Sequence, residues 1–359
     1  MRGRILFASV HPPGRAPSQR FRFEQYVDFL RDNGLETTFA PVLRPGDYAV
    51  VYAPGSLAAK AAIAARTTVR RAADVLRVRN YDIVFVQREA MQLGTAFFER
   101  VAARSRAKLV FDFDDAIWLP NVSEANERLA WLKRPQKTHD IIAAADLVFA
   151  GNDYLADYAR RYNEQVKVIP TTIDTERFRP RPRRDTSTVC IGWTGSMTTI
   201  QHLELALPVL RRVRERYGDR VRFKVIGDTS FRVDDLGIRG QEWSADSEVE
   251  DLSDIDIGIM PLPDDEWARG KCGLKGLQYM ALEIPSVLSP VGVNETIIDH
   301  GRNGFLSSSE EEWVARLSEL IDSAELRARL GAAGRATVVQ CYSVKSQENR
   351  YLDLLAELL

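Results

Sequence analysis

The chain has 359 residues, 45 % of them hydrophobic and 28 % charged, with a formal net charge of -1 at pH 7. That length suits two domains rather than one, and the composition is that of a soluble globular protein able to bury large cores, which excludes disorder. No apolar run approaches the roughly 20 residues of a membrane helix, and MRGRILFASV reads as a core strand, not a signal peptide, so a cytoplasmic protein is expected. The three widely spaced cysteines, Cys190, Cys272 and Cys341, argue against a disulfide framework and a zinc ribbon, and read as small buried side chains.

The charge is unevenly distributed. Residues 1–80 hold 13 Lys and Arg against 6 Asp and Glu, so the rest of the chain is acidic. A basic N-terminal part suits an anionic partner or a peripheral contact at the inner face of a membrane; nothing in the pattern calls for nucleic acid. Within it, KAAIAARTTVRRAADVLRVR from Lys60 to Arg79 predicts an amphipathic basic helix with Ile63, Val69 and Val75 among its apolar positions.

In chain order, short apolar strands alternate with helical segments, which predicts an α/β protein with parallel sheets covered on both faces. RILFASV (4–10), LETTFAPV (35–42), YDIVFVQ (81–87), KLVFDFD (108–114), DLVFAGN (146–152) and VKVIPTT (166–172) are the strands of a first domain, and FRFEQYVDFLRDNG supplies a helix ended by Gly34. RFRPRPRRDTS (177–187) fits no regular element, because Pro180 and Pro182 block helix and central strand alike. The pattern then restarts with TVCIGWTG (188–195), a long helix from about Ile200 to Tyr217, VRFKVIGD (221–228), a variable stretch to Trp243, DIDIGIMPL (254–262) and IPSVLSP (284–290). Two helices follow over 311–338 and a last one over 342–359. The expected organisation is an N-terminal domain at 1–175, a linker at 176–187, a second domain at 188–340 and a C-terminal crossover helix at 341–359, with ligands beyond the carboxyl ends of the strands, in a cleft between the domains.

Several segments carry chemistry. KCGLKGLQYMAL predicts a helix with Lys271 and Lys275 four apart near its N-terminus, where the dipole and exposed N–H groups favour phosphate; the next helix opens near Asn294 and Glu295. Gly270 and Gly273 flank the lysines. GWTGS (192–196) is a second anion-friendly loop, in which Gly195 lets backbone approach a ligand and Ser196 or Thr198 caps the following helix. FDFDDAIW (111–118) admits a DxD metal pair or the nucleophile motif of haloacid-dehalogenase phosphatases, although no later Lys or acidic pair stands in the phosphatase order. HPPGRAPSQRFR (11–22) brings Arg15, Arg20 and Arg22 to the end of the first strand, and QREAM places Arg88 after another; guanidinium groups there suit phosphate or carboxylate. The histidines at 11, 139, 202 and 300 show no metal-ligand spacing, so no metal is expected. Of these His11 is the one placed near the cleft; the others read as surface or helix residues.

VKVIPTTIDTERFRP, IGWTGS, FKVIGD, DIDIGIMPL and LQYMALEIPSVLSPVGVNETIIDHGRNGFL fall in the order of signals of one family: over roughly 145–335 the chain resembles the retaining GT-B glycosyltransferases of family four. The resemblance implies two Rossmann-like domains facing a central cleft, with a C-terminal helix packing back toward the N-terminal domain. It implies transfer of a sugar, of hexosyltransferase type, from a UDP- or GDP-linked donor to an acceptor hydroxyl, without metal or other cofactor, in glycan, glycolipid or metabolite biosynthesis. On it, Lys271 and Lys275 neutralise the leaving diphosphate, and Gly195, Ser196, Gly227, Trp243, Gly270, Gly273, Leu274, Gln278 and Glu295 line the donor site. Arg15, Arg20, Arg22, Arg88 and Asp115 face an anionic or lipid-linked acceptor, with Asp114 at the acceptor hydroxyl.

The chain also departs from the family. Two glutamates separated by seven residues are usual, one toward the transferred sugar and one on the ribose hydroxyls; here Gly270 and Gln278 stand in those places. Glutamine still pairs with a hydroxyl pair, while the first carboxylate is missing unless Asp265 or Glu266 replaces it. The usual Arg and Lys after the first strand of this domain are absent from GWTGSMTTIQHL. These departures keep open a catalytically degenerate sugar-nucleotide-binding partner protein, and an epimerase of the same architecture. The oligomeric state, nucleotide base, sugar and acceptor are not fixed by the sequence.

Overall fold

The computed structural model describes residues 2–51, 55–91, 94–119, 134–182 and 188–359. Contacts divide the chain into two compact units, one of Met1–Thr171 with Glu348–Leu359, the other of Thr172–Gln347. The expected linker at 176–187 starts inside the second unit, and residues 183–187 of it lie outside the described ones.

The first unit holds a parallel sheet in the order β2-β1-β3-β4-β5-β6, formed by β1 (Gly3–Ser9), β2 (Leu35–Pro41), β3 (Ile83–Gln87), β4 (Lys108–Phe113), β5 (Leu147–Ala150) and β6 (Val166–Val168). β3 and β5 are buried at every position, as expected of parallel strands covered on both faces. Aromatic rings organise the core. Phe7 stacks on Phe23 at 4.8 Å, and Tyr351 of the last helix stacks on Tyr26 at 4.3 Å. The strand order reverses between β1 and β3.

The predicted basic helix is present at Leu57–Arg77, with a different inner face. Ile63 is buried, but Val69 is 70 % exposed and Val75 only half-buried; Thr67, Arg71 and Asp74 take the inner positions. Arg71 is tolerated there because its guanidinium is satisfied, donating to Ala90 O (3.1 Å), Ser9 O (2.9 Å) and Asp74 Oδ2 (3.1 Å).

The second unit holds a sheet in the order β13-β12-β11-β7-β8-β10-β9: β7 (Val189–Thr194), β8 (Val221–Ile226), β9 (Arg232–Val233), β10 (Ile238–Gln241), β11 (Ile257–Met260), β12 (Ser286–Leu288) and β13 (Phe305–Leu306). Among the described residues only the β9–β10 pair is antiparallel. β9 and β13, of two residues each, and the partly polar β10 are too short to show a strand pattern in the sequence. From β7 outward the order runs one way through β8 and β10 and the other way through β11, β12 and β13, so the topological switch point lies between β7 and β11.

Two helix expectations change. The helix predicted over 200–217 is two helices, Ile200–Glu204 and Leu207–Tyr217. Pro208 is the cause, since within a continuous helix its ring would clash with the Glu204 carbonyl, whereas in a first turn it is well placed. The helix predicted over 271–282 runs only from Leu274 to Ala281, because Gly273 takes a left-handed conformation at φ 69°. Lys271 therefore stands in the loop before the helix, not on one face with Lys275. Cys190 and Cys272 are buried as free thiols, but Cys341 is exposed.

Candidate functional site

At the carboxyl end of the second sheet, the ends of β7 and β8 are joined by backbone bonds only glycine allows. Gly195 N donates to Ile226 O (3.0 Å), and Gly227, at φ 120°, would put a Cβ 1.7 Å from Gly195 O. Ser196 is exposed; its N–H donates to Thr199 Oγ1 (3.0 Å) and its hydroxyl pairs with Thr198 (2.9 Å).

The helix Leu274–Ala281 is fixed across the switch point by buried Tyr279, whose hydroxyl accepts from Thr194 N (3.1 Å) on β7 and donates to Ile259 O (3.4 Å) on β11. One turn earlier on that helix, Lys275 holds its ammonium 5.4 Å from the ring centroid of buried Trp193. Lys271 lies 5.6 Å from the Trp267 ring. Both cations are thus oriented by indole faces. Gly270 and Gly273 are buried in the loop between, and a Cβ at Gly273 would strike Ile297 at 2.4 Å.

His202, expected as a surface or helix residue, lies in the helix Ile200–Glu204 and is 5 % exposed, and among the described residues its Nδ1 has no hydrogen-bond partner. Burial first, then the charges of Lys271 and Lys275, push its pKa down to about 4. It is a neutral imidazole facing an excess of positive charge, which suits an anion. A pH dependence follows. The unfolded chain takes up a proton near pH 6.5 and the folded chain only near 4, so stability from neutral His202 is complete above 6.5 and falls as the pH drops through that window. We expect a loss of up to about 3 kcal/mol between pH 7 and 4, read as a urea midpoint that falls less in His202→Gln; equal slopes in the two proteins would contradict it.

The other residues expected on the donor side are spread along the same strand ends. Trp243 follows β10, and its Nε1 donates to Glu248 Oε1 (3.2 Å); Gln278, 4 % exposed, donates from Nε2 to the same oxygen (3.1 Å). Leu274 opens the lysine helix, half-buried. Glu295 is exposed at the start of a four-residue helix. Of the two carboxylates considered for the missing glutamate, Asp265 caps a helix turn through Ala268 N (2.7 Å) and Glu266 is exposed.

In the first unit, His11 after β1 and Arg88 after β3 flank that sheet's own switch point. Burial, then the Arg88 charge, lowers the His11 pKa to about 4, and its ring bonds the Tyr48 hydroxyl. Arg88 sits in the left-handed region at φ 58°, a strained place for a side-chain-bearing residue, and donates from Nε to Asp114 Oδ1 (2.7 Å) with Asp115 Oδ2 at 3.5 Å. Gln87 also donates to Asp114 (3.3 Å). Arg15 is exposed, its guanidinium 5.9 Å from the Tyr48 ring. Two of the arginines expected at the ligand are buried. Arg22 is 1 % exposed and bound to Asp112 and Ile169 O, and Arg20 is 7 % exposed, lying over the Phe21 ring. Arg22 projects inward because it follows the short helix Pro17–Arg20, a turn the sequence does not distinguish from a solvent-facing helix start.

Glu248 and His202 carried no sequence signal: they are brought to Gln278 and to the lysines only by folding, whereas Trp267 stands four residues before Lys271. Among the described residues, no three His, Cys, Asp or Glu side chains cluster as a metal site, and no helix is long and apolar enough to cross a membrane.

The fold is that of the GT-B glycosyltransferases. Residues 188–323 match the family model described as glycosyl transferases group 1. Among solved structures, sucrose-phosphate synthase from Thermosynechococcus elongatus is 14 % identical over 99 % of both chains with a TM-score of 0.71. A glycosyltransferase from Rickettsia africae is 14 % identical over 99 % of this chain and 98 % of its own, with a TM-score of 0.69. Anabaena HepE in complex with UDP-glucose is 17 % identical over the whole of both chains, with a TM-score of 0.61. No curated protein matches the sequence.

Proposed function

We propose that the protein is a glycosyltransferase that moves a hexose from a nucleoside diphosphate sugar to an acceptor hydroxyl, with retention at the anomeric carbon. The observation that carries this reading is the pair Lys271 and Lys275, oriented over Trp267 and Trp193 at the switch point of the second sheet beside neutral His202. The match to glycosyl transferases group 1 over the same unit supports sugar transfer. A UDP-linked donor is favoured over a GDP-linked one by the UDP-glucose complex of HepE.

Breaking the glycosidic bond leaves negative charge on a diphosphate, and the two ammonium groups answer that charge as it develops. The lysines supply this without a metal or other cofactor. With retention, the acceptor attacks from the face the diphosphate leaves, and the departing phosphate oxygen takes the acceptor proton. No protein base is then needed, which accords with Asp114 being engaged by Arg88 and Gln87. Arg15, Arg88 and Asp115 of the first unit are assigned to an anionic or lipid-linked acceptor. The exposed basic side of the helix Leu57–Arg77 suits a peripheral contact with the inner face of the membrane.

A thermal-shift screen of UDP, GDP and their hexose conjugates tests the reading. Stabilisation of several degrees by one of them is expected, since a ligand at 100 times its Kd adds about 2.7 kcal/mol. No shift with any would overturn the proposal. Binding without transfer to any acceptor would make the chain a sugar-nucleotide-binding partner, and interconversion of free sugar nucleotides an epimerase.

A further inference from the structure

Gln278 stands where the resemblance places a carboxylate on the ribose hydroxyls, and the structure shows what accompanies the exchange. Glu248, 5 % exposed and thirty residues away in sequence, reaches the same spot from the start of the helix Glu248–Ser253 that follows β10. Its Oε1 accepts from Gln278 Nε2 (3.1 Å) and from Trp243 Nε1 (3.2 Å), and its Oε2 lies 3.6 Å from Arg177 Nη2. An ionised carboxylate only accepts hydrogen bonds, so it fixes which way round the Gln278 amide sits: the NH2 must face Glu248 and the carbonyl oxygen must face away. Among the described residues, none donates to that oxygen.

Resting on the donor site proposed above, we propose that Glu248 is a positioning residue that makes Gln278 behave as an acceptor toward the ribose hydroxyls of a ribonucleoside diphosphate. The carboxylate has moved one layer back, and its orienting effect reaches the ligand through the amide. A hydroxyl pair donates well to a carbonyl oxygen and poorly to an NH2 group, so the orientation decides whether the ribose is held. Arg177 and Trp243 keep Glu248 in place; Arg177 is itself tied to Ala245 O (2.6 Å).

Affinities for UDP and GDP against their 2′-deoxy forms test this in the intact chain. The wild type is expected to favour the ribonucleotide about tenfold, as for one buried hydrogen bond of about 1.4 kcal/mol. Glu248→Leu removes the acceptor that holds the NH2 group, frees the amide to turn, and should bring the ratio near one with the diphosphate contribution intact. Gln278→Glu sets two carboxylates against each other and should weaken both nucleotides. The double variant Glu248→Leu, Gln278→Glu returns an acceptor-only group to the ribose without that repulsion and should restore the ratio. A ratio unchanged in Glu248→Leu, or a double variant no better than Gln278→Glu, would overturn the inference while leaving the donor site standing. Absence of any nucleotide binding by the wild type would instead remove the donor site itself.

Discussion

Lys271→Ala with Lys275→Ala is expected to lower nucleoside diphosphate affinity by about a thousandfold, with each single change costing ten- to a hundredfold, the range for hydrogen bonds to charged groups. Sugar transfer should fall further than binding, because the lysines meet more negative charge on the departing diphosphate than on the intact donor. Neither side chain is a core element: both are half-buried and held over Trp267 and Trp193. The variants should therefore fold, and the loss should appear in titration calorimetry rather than in the unfolding midpoint. His202 supplies a separate readout. Lys271 and Lys275 follow burial among the causes of its low pKa, so removing both should raise it part of the way from about 4 toward 6.5 in an NMR titration. If the double variant bound nucleoside diphosphates as the wild type does, the lysines would have no part in the donor site. Lys275→Arg is expected to be a poor substitute, since a planar guanidinium stacks on an indole differently from a point charge above it.

Arg22→Ala should cost the first unit about 3 to 5 kcal/mol, the range for removing one partner of a buried ion pair. Burial drives the Asp112 carboxyl pKa upward and Arg22 opposes it, through two side-chain bonds of 3.2 and 3.3 Å from Nε and a further one from Nη2. Removing the guanidinium leaves a desolvated carboxylate in the middle of the sheet and takes a donor from Ile169 O. A matched apolar pair, Arg22→Met with Asp112→Leu, should be milder, because nothing charged is then left behind. Urea unfolding followed by circular dichroism, with limited proteolysis to separate the units, would check this. An Arg22→Ala midpoint equal to wild type, together with weakened acceptor binding, would return Arg22 to the ligand-binding role its place in the sequence suggests.

Much of the architecture was legible before folding. Ten of the strands follow from short apolar runs bounded by Gly, Pro, Asp and Asn, because parallel strands covered on both faces must be apolar throughout. β9, β10 and β13 were not legible, being two to four residues long and in part polar, held by neighbours rather than by their own burial pattern. Helix limits failed where one residue overrode periodicity: Pro208 divided one helix and Gly273 shortened another.

The sequence by itself determined the α/β alternation and the placing of two cations, Lys271 and Lys275, four residues apart, since these depend on residue type and near spacing alone; that Gly270 and Gln278 stand in place of carboxylates is what the family resemblance implies. Only the tertiary structure decided what surrounds them. Trp193 beneath Lys275, His202 within reach of the charges of Lys271 and Lys275, Glu248 behind Gln278 and Asp112 against Arg22 are each brought together across many residues by strand order. The same holds for any long flexible side chain: Arg15, Arg20 and Arg22 look alike in sequence, yet one is exposed and two are buried. Which of these happens depends on whether the fold offers a buried acceptor at the right distance, and local sequence carries no record of that.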